Sequence, residues 1–535
     1  ALAGMFYVMA MYFYLKARTN PRRPRQVIFF SFCVIATLLG FASKENAAML
    51  PIVLFLFDLF LIQGVSRENL KKAAWFAAVP VAIFALVAIF YVDFSAFLSG
   101  YENRPFNLFQ RLMTEPRVLM MYVSLLFYPV SSRLMLIHDI PLSQSLLDPW
   151  TTAASIVLIL SAAGTALYYS RKWPLLAFCV IFFFINHVIE SSIIPLELVY
   201  EHRNYIPSMF FFVAVAIVMV SVLEYFSYRT SIQLIMAFGF CFLLAAQAHT
   251  TYGRNKIWQH EILLWSDNAE KAPGLSRVHT NLGKAYTDAG FSGEAVKHFR
   301  KALNANRVMR EKGRAVLLHN AGLASHHEGE DEAALRYFQK ALQVNPGKEE
   351  TLALLCQLYL EKGMLKRAYQ EMKGRIRKLS EVRSVELLKT YATVLYHSDN
   401  IDQAIDVAGR ALQADSDYSA VFPVLAQSFR AKGRGGMAER YWRRYLEKHP
   451  NSVEAHLALI ELYSELDDNK AKLGDMVEKF FCLSRGENIC SIITFKYSSE
   501  NLLTVYNPDM DAIRASIHEA ISERTDNFLR CNTTE

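Results

Sequence analysis

Four clusters of ionisable and amide side chains lie at or beside apolar runs long enough to cross a bilayer, where charge is expensive and tends to be retained for a purpose. Ser43-Lys44-Glu45-Asn46 separates two such runs, and Asp58 lies within the second. Glu201-His202-Arg203-Asn204-Tyr205 comes just before Pro207, which opens another. Asn186, His187 and Glu190 sit at the end of a third run, and Arg133, His138 and Asp139 lie in a polar connection. A guanidinium offers paired donors to a phosphate, and a carboxylate or imidazole can orient it or move a proton. Each cluster also has a plainer reading. The first would be a tight turn that needs polar residues, and the second a charged cap at the interface. The third would be buried polar groups satisfied by neighbouring helices, and the fourth a solvated loop. Asp58 could equally be an interfacial anchor.

Phosphate-cradling glycine loops, GxSxG, HExxH and dinucleotide fingerprints are all missing from the sequence, which argues against cytoplasmic nucleotide chemistry. The seven cysteines contain no CxxC, so neither a metal site nor a cofactor motif is recognisable, and a divalent metal requirement is left open. Cys482 and Cys490 bracket a polar loop, and in an oxidising compartment they could pair as a disulfide; two free thiols is the other reading. The formal charge of +7 is small for 535 residues and the cations are scattered, which speaks against nucleic acid as a partner.

The elements that would hold these clusters are helical. The mean hydropathy of +0.16 averages two unlike halves. Up to about residue 250, apolar segments run over 1–15, 27–43, 47–62, 74–92, 151–170, 173–189, 207–226 and 232–249. Lys16, Arg18, Arg22, Arg23 and Arg25 follow the first; Arg67, Lys71 and Lys72 follow the third; Arg171 and Lys172 follow the fifth; Arg229 follows the seventh. The positive-inside rule puts these loops in the cytoplasm. Residues 44–46, 94–150, 190–206 and everything after 250 then face outward. The assignment closes only if the apolar stretch 117–130, bounded by Pro116 and Pro129, does not cross and is instead re-entrant or interfacial. The chain opens on Ala1-Leu2-Ala3 inside an apolar run, without an initiator Met or a cleavage-site pattern, which predicts that upstream sequence is missing.

From about residue 276 the pattern changes to a period near 34, that of the tetratricopeptide (TPR) repeat. The recurring alanines Ala295, Ala334, Ala368, Ala404 and Ala438 are 39, 34, 36 and 34 residues apart. Small residues let the two helices of a unit approach, large ones fill the groove to the next, and at least three units must stack to bury a core. The expected organisation is all-α: a multi-span membrane domain over 1–250 with an external segment at 94–150, a linker helix over 251–275, a solenoid of five to six units over 276–474, and a capping region over 475–535. The solenoid would offer a concave face to a protein or peptide.

A multi-span domain followed by outward TPR units, the SKEN turn with Pro51 and Asp58 behind it, and the EHRNYIPS segment together resemble the bacterial relatives of the transmembrane TPR-containing O-mannosyltransferases, membrane glycosyltransferases of the GT-C class. The resemblance implies a bacterial inner-membrane enzyme, with its TPR units on the periplasmic side, that passes a sugar from a polyprenyl-phosphate carrier to a protein acceptor recruited by the repeats. It implies that Arg203 binds the donor phosphate and that Lys44 assists. Glu201 or Glu45 would order the basic groups, with His202 and Tyr205 in the same motif. The acidic residue that holds or deprotonates the acceptor would lie upstream of Ala1, so the catalytic residue is unassigned and a chain beginning here would not catalyse transfer. A membrane-anchored TPR scaffold for envelope assembly is the competing reading, and an oligosaccharide ligase or polymerase is a third.

Overall fold

The computed structural model describes residues 2–72, 99–102, 104–305, 311–376, 378–465 and 470–484, together with 506, 509, 511–513 and 515–516. The expected span 74–92 and the Cys482–Cys490 pairing fall outside the described residues. Every regular element among those residues is helical. The chain divides into two compact units, Ala1–Val278 and His279–Glu535.

The first unit contains α1 (Leu2–Thr19), α2 (Arg23–Ser43), α3 (Leu50–Phe57), α4 (Leu108–Phe127), α5 (Thr151–Tyr169), α6 (Pro174–His187), α7 (Ser208–Tyr225), α8 (Thr230–Ile257) and α9 (Glu261–Lys271). Among the described residues, five helical stretches are long and apolar enough to cross a membrane: Arg23–Ser43, Glu45–Gln63, Thr151–Tyr169, Ser208–Tyr225 and Thr230–Ile257. Their surfaces fit that solvent, since Val157, Leu160, Val218, Phe238 and Phe242 are all exposed. Soluble proteins rarely leave so continuous an apolar face uncovered. The stretch after Lys44 is composite, with a 3₁₀ turn over Glu45–Met49, α3, and a π-helical turn over Asp58–Gln63. Helix α6 has only 14 residues, shorter than the 173–189 run, and α8 continues to Ile257 where a linker was expected from 251. The stretch at 117–130 belongs to α4, which starts earlier and carries Pro116 inside it. Its start is fixed by a capping box between Asn107 and Gln110.

The apolar centre of this unit gathers Tyr7, Ala10, Leu50, Val53, Phe178, Phe182 and Ile206 from α1, α3, α6 and the approach to α7. Loops assigned to one side meet one another. Arg18 forms an ion pair with Asp58 at 2.6 Å, and Arg171 Nε donates to the Val65 carbonyl at 3.0 Å.

The second unit is a run of helix–turn–helix pairs: α10 (Ser276–Asp288) with α11 (Ser292–Asn304), α12 (Glu311–His327) with α13 (Asp331–Val344), α14 (Glu349–Glu361) with α15 (Leu365–Arg375), α16 (Val385–His397) with α17 (Ile401–Ala414), α18 (Phe422–Ala431) with α19 (Gly435–Lys448), and α20 (Val453–Ser464) with α21 (Lys470–Ser484). Close approach inside a pair has a visible cause. A Cβ on Gly283 would lie 2.7 Å from the Phe299 ring, and one on Gly322 would lie 2.6 Å from Phe338. Both aromatics stand 16 residues beyond their glycine, as Met372 does beyond Cys356, Ala408 beyond Ala392 and Trp442 beyond Ala426. The residues that fill these sockets are all buried.

The corner inside each of the first five pairs turns through the left-handed region, at Gly290, Gly329, Gly363 and Gly433 and, in the fourth, at Asp399 (φ 60°). Glycine occupies that region freely, whereas other residues pay a steric penalty of about 1 kcal/mol. Asp399→Gly is therefore expected to stabilise the solenoid by about 0.5–1 kcal/mol. Chemical denaturation should show a later midpoint than the parent, and an earlier one would contradict this account of the corner.

Candidate functional site

The polar clusters of the first unit converge where α2 ends, α6 ends and α7 begins. Lys44 is the only residue between α2 and the 3₁₀ turn, which gives the SKEN segment little freedom. Asn46 is buried, and its Nδ2 donates to Glu190 Oε1. The other carboxylate oxygen of Glu190 pairs with Arg203 Nε at 3.0 Å, and both side chains are more than nine-tenths buried. Arg203 Nη1 also donates to the carbonyls of Glu197 (2.6 Å) and Leu198 (3.3 Å), and its guanidinium lies over the Tyr200 ring. The residue assigned to donor phosphate by resemblance is thus largely occupied by its own chain.

Burial pushes the Glu190 carboxyl above its ordinary range, against the opposing pull of Asn46, Arg203 and Lys44. Burial also depresses the His202 imidazole, and the neighbouring positive charges of Lys44 and Arg203 push it the same way. The charge of Lys44 is thus felt at both Glu190 and His202. Lys44 is half-buried and Glu45 and His202 are exposed, whereas Arg203 and Glu190 are buried.

Neighbouring residues hold this arrangement in place. His187 Nε2 is 3.1 Å from Asn204 Oδ1, and its ring stacks on Tyr122. The Tyr122 hydroxyl donates to the Tyr200 carbonyl (3.1 Å) and accepts from the Tyr200 amide (2.9 Å). Asn186 turns the other way and accepts from the Tyr7 hydroxyl at 2.7 Å. Glu201 also faces away, accepting from the Met135 amide at 2.6 Å and meeting His138 Nε2 at 3.0 Å. Arg133 is spent on the C-terminal turn of α4, reaching the carbonyls of Ser124 and Tyr128. Tyr205 packs against α1, where a Cβ on Gly4 would meet its ring at 2.6 Å.

The sequence reading missed a second buried pair. Arg111 and Glu115 lie one turn apart on α4 at 2.9 Å, and both are buried. Arg111 also donates to the carbonyls of Ser192 (2.9 Å), Leu196 (2.5 Å) and Glu190. Burial raises the Glu115 carboxyl to about 7, although Arg111 opposes this. The i, i+4 spacing of opposite charges beside Pro116 was the available signal. It resembles any exposed helix pair, so sequence could not reveal its burial.

Below this polar layer, α4, α5, α6 and α7 enclose an apolar groove of about 530 Å³, lined among others by Phe127, Leu158, Phe183, Phe211 and Val218. Phe183 also touches His187 edge-on, so the groove ends close under the polar layer. Among the described residues no group of three or more His, Cys, Asp or Glu side chains could hold a metal ion.

A tetratricopeptide repeat family model matches residues 327–378. That segment runs from the end of α12 through α13, α14 and α15. No curated protein matches the chain. Solved structures similar to it include the C-terminal part of a TPR repeat-containing protein from Cytophaga hutchinsonii, with 16% identity, 44% of this chain and 93% of that chain covered, and a TM-score of 0.34. Pseudomonas aeruginosa pilF shows 15% identity, 41% and 97% coverage and a TM-score of 0.35. YrrB, described as a TPR protein with an unusual peptide-binding site, shows 14% identity, 36% and 95% coverage and a TM-score of 0.30. At these scores the likenesses carry no weight, and the repeat assignment rests on the family match and the recurring helix pairs. The chain is a TPR-containing protein whose regular elements among the described residues are all helical, five of them long and apolar enough to span a membrane.

Proposed function

We propose that the protein is a membrane glycosyltransferase component of GT-C type that binds a polyprenyl-phosphate sugar on the outer side of a bacterial inner membrane, while its TPR units recruit a protein acceptor. The observation that carries this reading is the closed Arg203–Glu190–Asn46 layer, flanked along the chain by exposed His202 and half-buried Lys44, with an apolar groove ending close to it. A lipid phosphate has the same two-part chemistry, an anionic head on an apolar chain. In this proposal the role of direct phosphate contact moves from Arg203 to Lys44 and His202, and Arg203 becomes a positioning residue. Lys44 meets the phosphate as a point charge. Glu45, at the start of the 3₁₀ turn, faces the same mouth and would order the incoming head group.

A membrane-anchored TPR scaffold is the second reading, and one observation favours it: the guanidiniums of Arg111 and Arg203 are both taken up by internal carboxylates and carbonyls. The two readings separate in one experiment. The full chain in detergent micelles should bind decaprenyl phosphate more tightly than decaprenol. Lys44→Ala should weaken the phosphate form about tenfold, equivalent to about 1.4 kcal/mol, and leave the alcohol form unchanged. Equal binding of the two lipids would leave the scaffold reading standing.

A further inference from the structure

The third helix pair carries a polar groove that belongs neither to the membrane unit nor to the first-helix face of the solenoid. It encloses about 520 Å³ between α13, α14 and α15 and is lined by Gln339, Tyr359, Arg367, Gln370, Glu371 and Arg375, with Gly374 at its edge. The α15 residues fall at positions 367, 370, 371, 374 and 375, which is the spacing of one helix face. In a solenoid that face would ordinarily be apolar if it packed on a neighbour, or unremarkably charged if it faced water.

Four of the lining side chains already have partners. Gln339 Nε2 donates to the Tyr359 hydroxyl at 2.7 Å. Arg375 Nε donates to Glu371 at 2.8 Å, and its Nη1 reaches the Leu342 carbonyl near the end of α13 at 3.4 Å. These contacts neutralise the one carboxylate in the groove and stiffen its far wall. Arg367 is different: it is exposed, has no carboxylate partner among the described residues, and meets the Met364 sulfur at 3.7 Å. Gln370 beside it is also exposed. A Cβ on Gly374 would meet nothing within 4 Å, so that edge of the groove is open.

Residues 362–378 contain seven cations against the single acid Glu371. Lys362, Arg375 and Lys378 are ion-paired with Asp331, Glu371 and Glu381, which leaves Lys366, Arg367 and Lys373 as the α15 cations with no carboxylate partner among the described residues. Their surplus positive charge attracts anions. Arg367 offers a planar pair of donors suited to a carboxylate, and the glutamine amides offer the mixed donors and acceptors that match a peptide backbone.

We infer that this groove is a docking site for an acidic peptide segment, with Arg367 engaging an Asp or Glu carboxylate and Gln370 and Gln339 engaging the adjacent backbone. The inference is independent of sugar transfer, because it concerns a different unit and needs no lipid.

The test uses the full chain in detergent micelles with fluorescein-labelled hexaglutamate, read by anisotropy at low ionic strength. Hexaglutamate should bind, and hexaglutamine should not. Arg367→Glu should weaken binding at least about tenfold, or about 1.4 kcal/mol. Lys366→Glu makes the same change in net charge one residue away, about 100° around the helix, and should change binding by no more than about twofold. Both positions are exposed, so unchanged circular dichroism is expected for both variants. Equal losses in the two variants would reduce the effect to general charge attraction and overturn the site, as would equal binding of hexaglutamate and hexaglutamine. If inorganic phosphate at low millimolar concentration displaces the peptide at constant ionic strength, the groove recognises small anions rather than an acidic peptide, and the proposal fails.

Discussion

Replacing Arg203 by alanine is expected to destabilise the membrane unit by about 3–5 kcal/mol, the cost of removing one member of a buried ion pair. The loss has three parts. Glu190 would keep Asn46 but lose its counter-charge, two backbone carbonyls would lose their donor, and the ring of Tyr200 would lose the cation over it. Arg203→Lys is expected to recover little, because one ammonium cannot reach Glu190 and the Glu197 carbonyl with the geometry of a guanidinium. Removing both charges, as Arg203→Met with Glu190→Leu, should restore much of the stability, since well-packed apolar replacements of buried pairs are often tolerated. Thermal unfolding in detergent, followed by tryptophan fluorescence across all four proteins, measures the coupling. A single Arg203→Ala variant that melts with the parent would mean that the pair does not hold the site.

The second large effect is expected in the solenoid. Trp442 is buried against Ala426, its partner 16 residues earlier, and packs edge-on to Tyr445 and Tyr506. Trp442→Ala should cost about 3–5 kcal/mol, because the neighbouring helices can only partly collapse into the space. Val316→Ala removes an exposed side chain from α12 and should stay within about 0.5 kcal/mol of the parent. Urea titration followed by far-UV circular dichroism should separate the two variants. Similar midpoints would contradict the socket description.

The repeats were the more legible half of the sequence because their information is periodic. Ala295, Ala334, Ala368, Ala404 and Ala438 mark the phase, and each lies fully buried in the structure. The candidate site was legible as a set of segments and much less so as a set of roles. Lys44, Asn46, Glu190, His202 and Arg203 are drawn together. What sequence could not say is which charges would be consumed internally, because that depends on the carbonyls exposed by the irregular backbone over 190–200. The family resemblance puts Arg203 ahead of Lys44 as a phosphate ligand, and the carbonyls that occupy Arg203 reverse that order in the reading proposed above. Arg111 and Glu115 escaped notice for a related reason. A one-turn ion pair looks the same in sequence whether it faces water or, as here, closes beneath a loop.

The fourth helix pair combines two departures already described. Its corner turns at Asp399 in place of glycine, and its socket is filled by Ala408, the smallest residue at that position. In a linear array whose cooperativity passes only between neighbours, one weak member limits how far order propagates. The fourth pair is therefore the expected place for the array to open first. A change at Asp399 would alter where the array comes apart as well as how readily it does so.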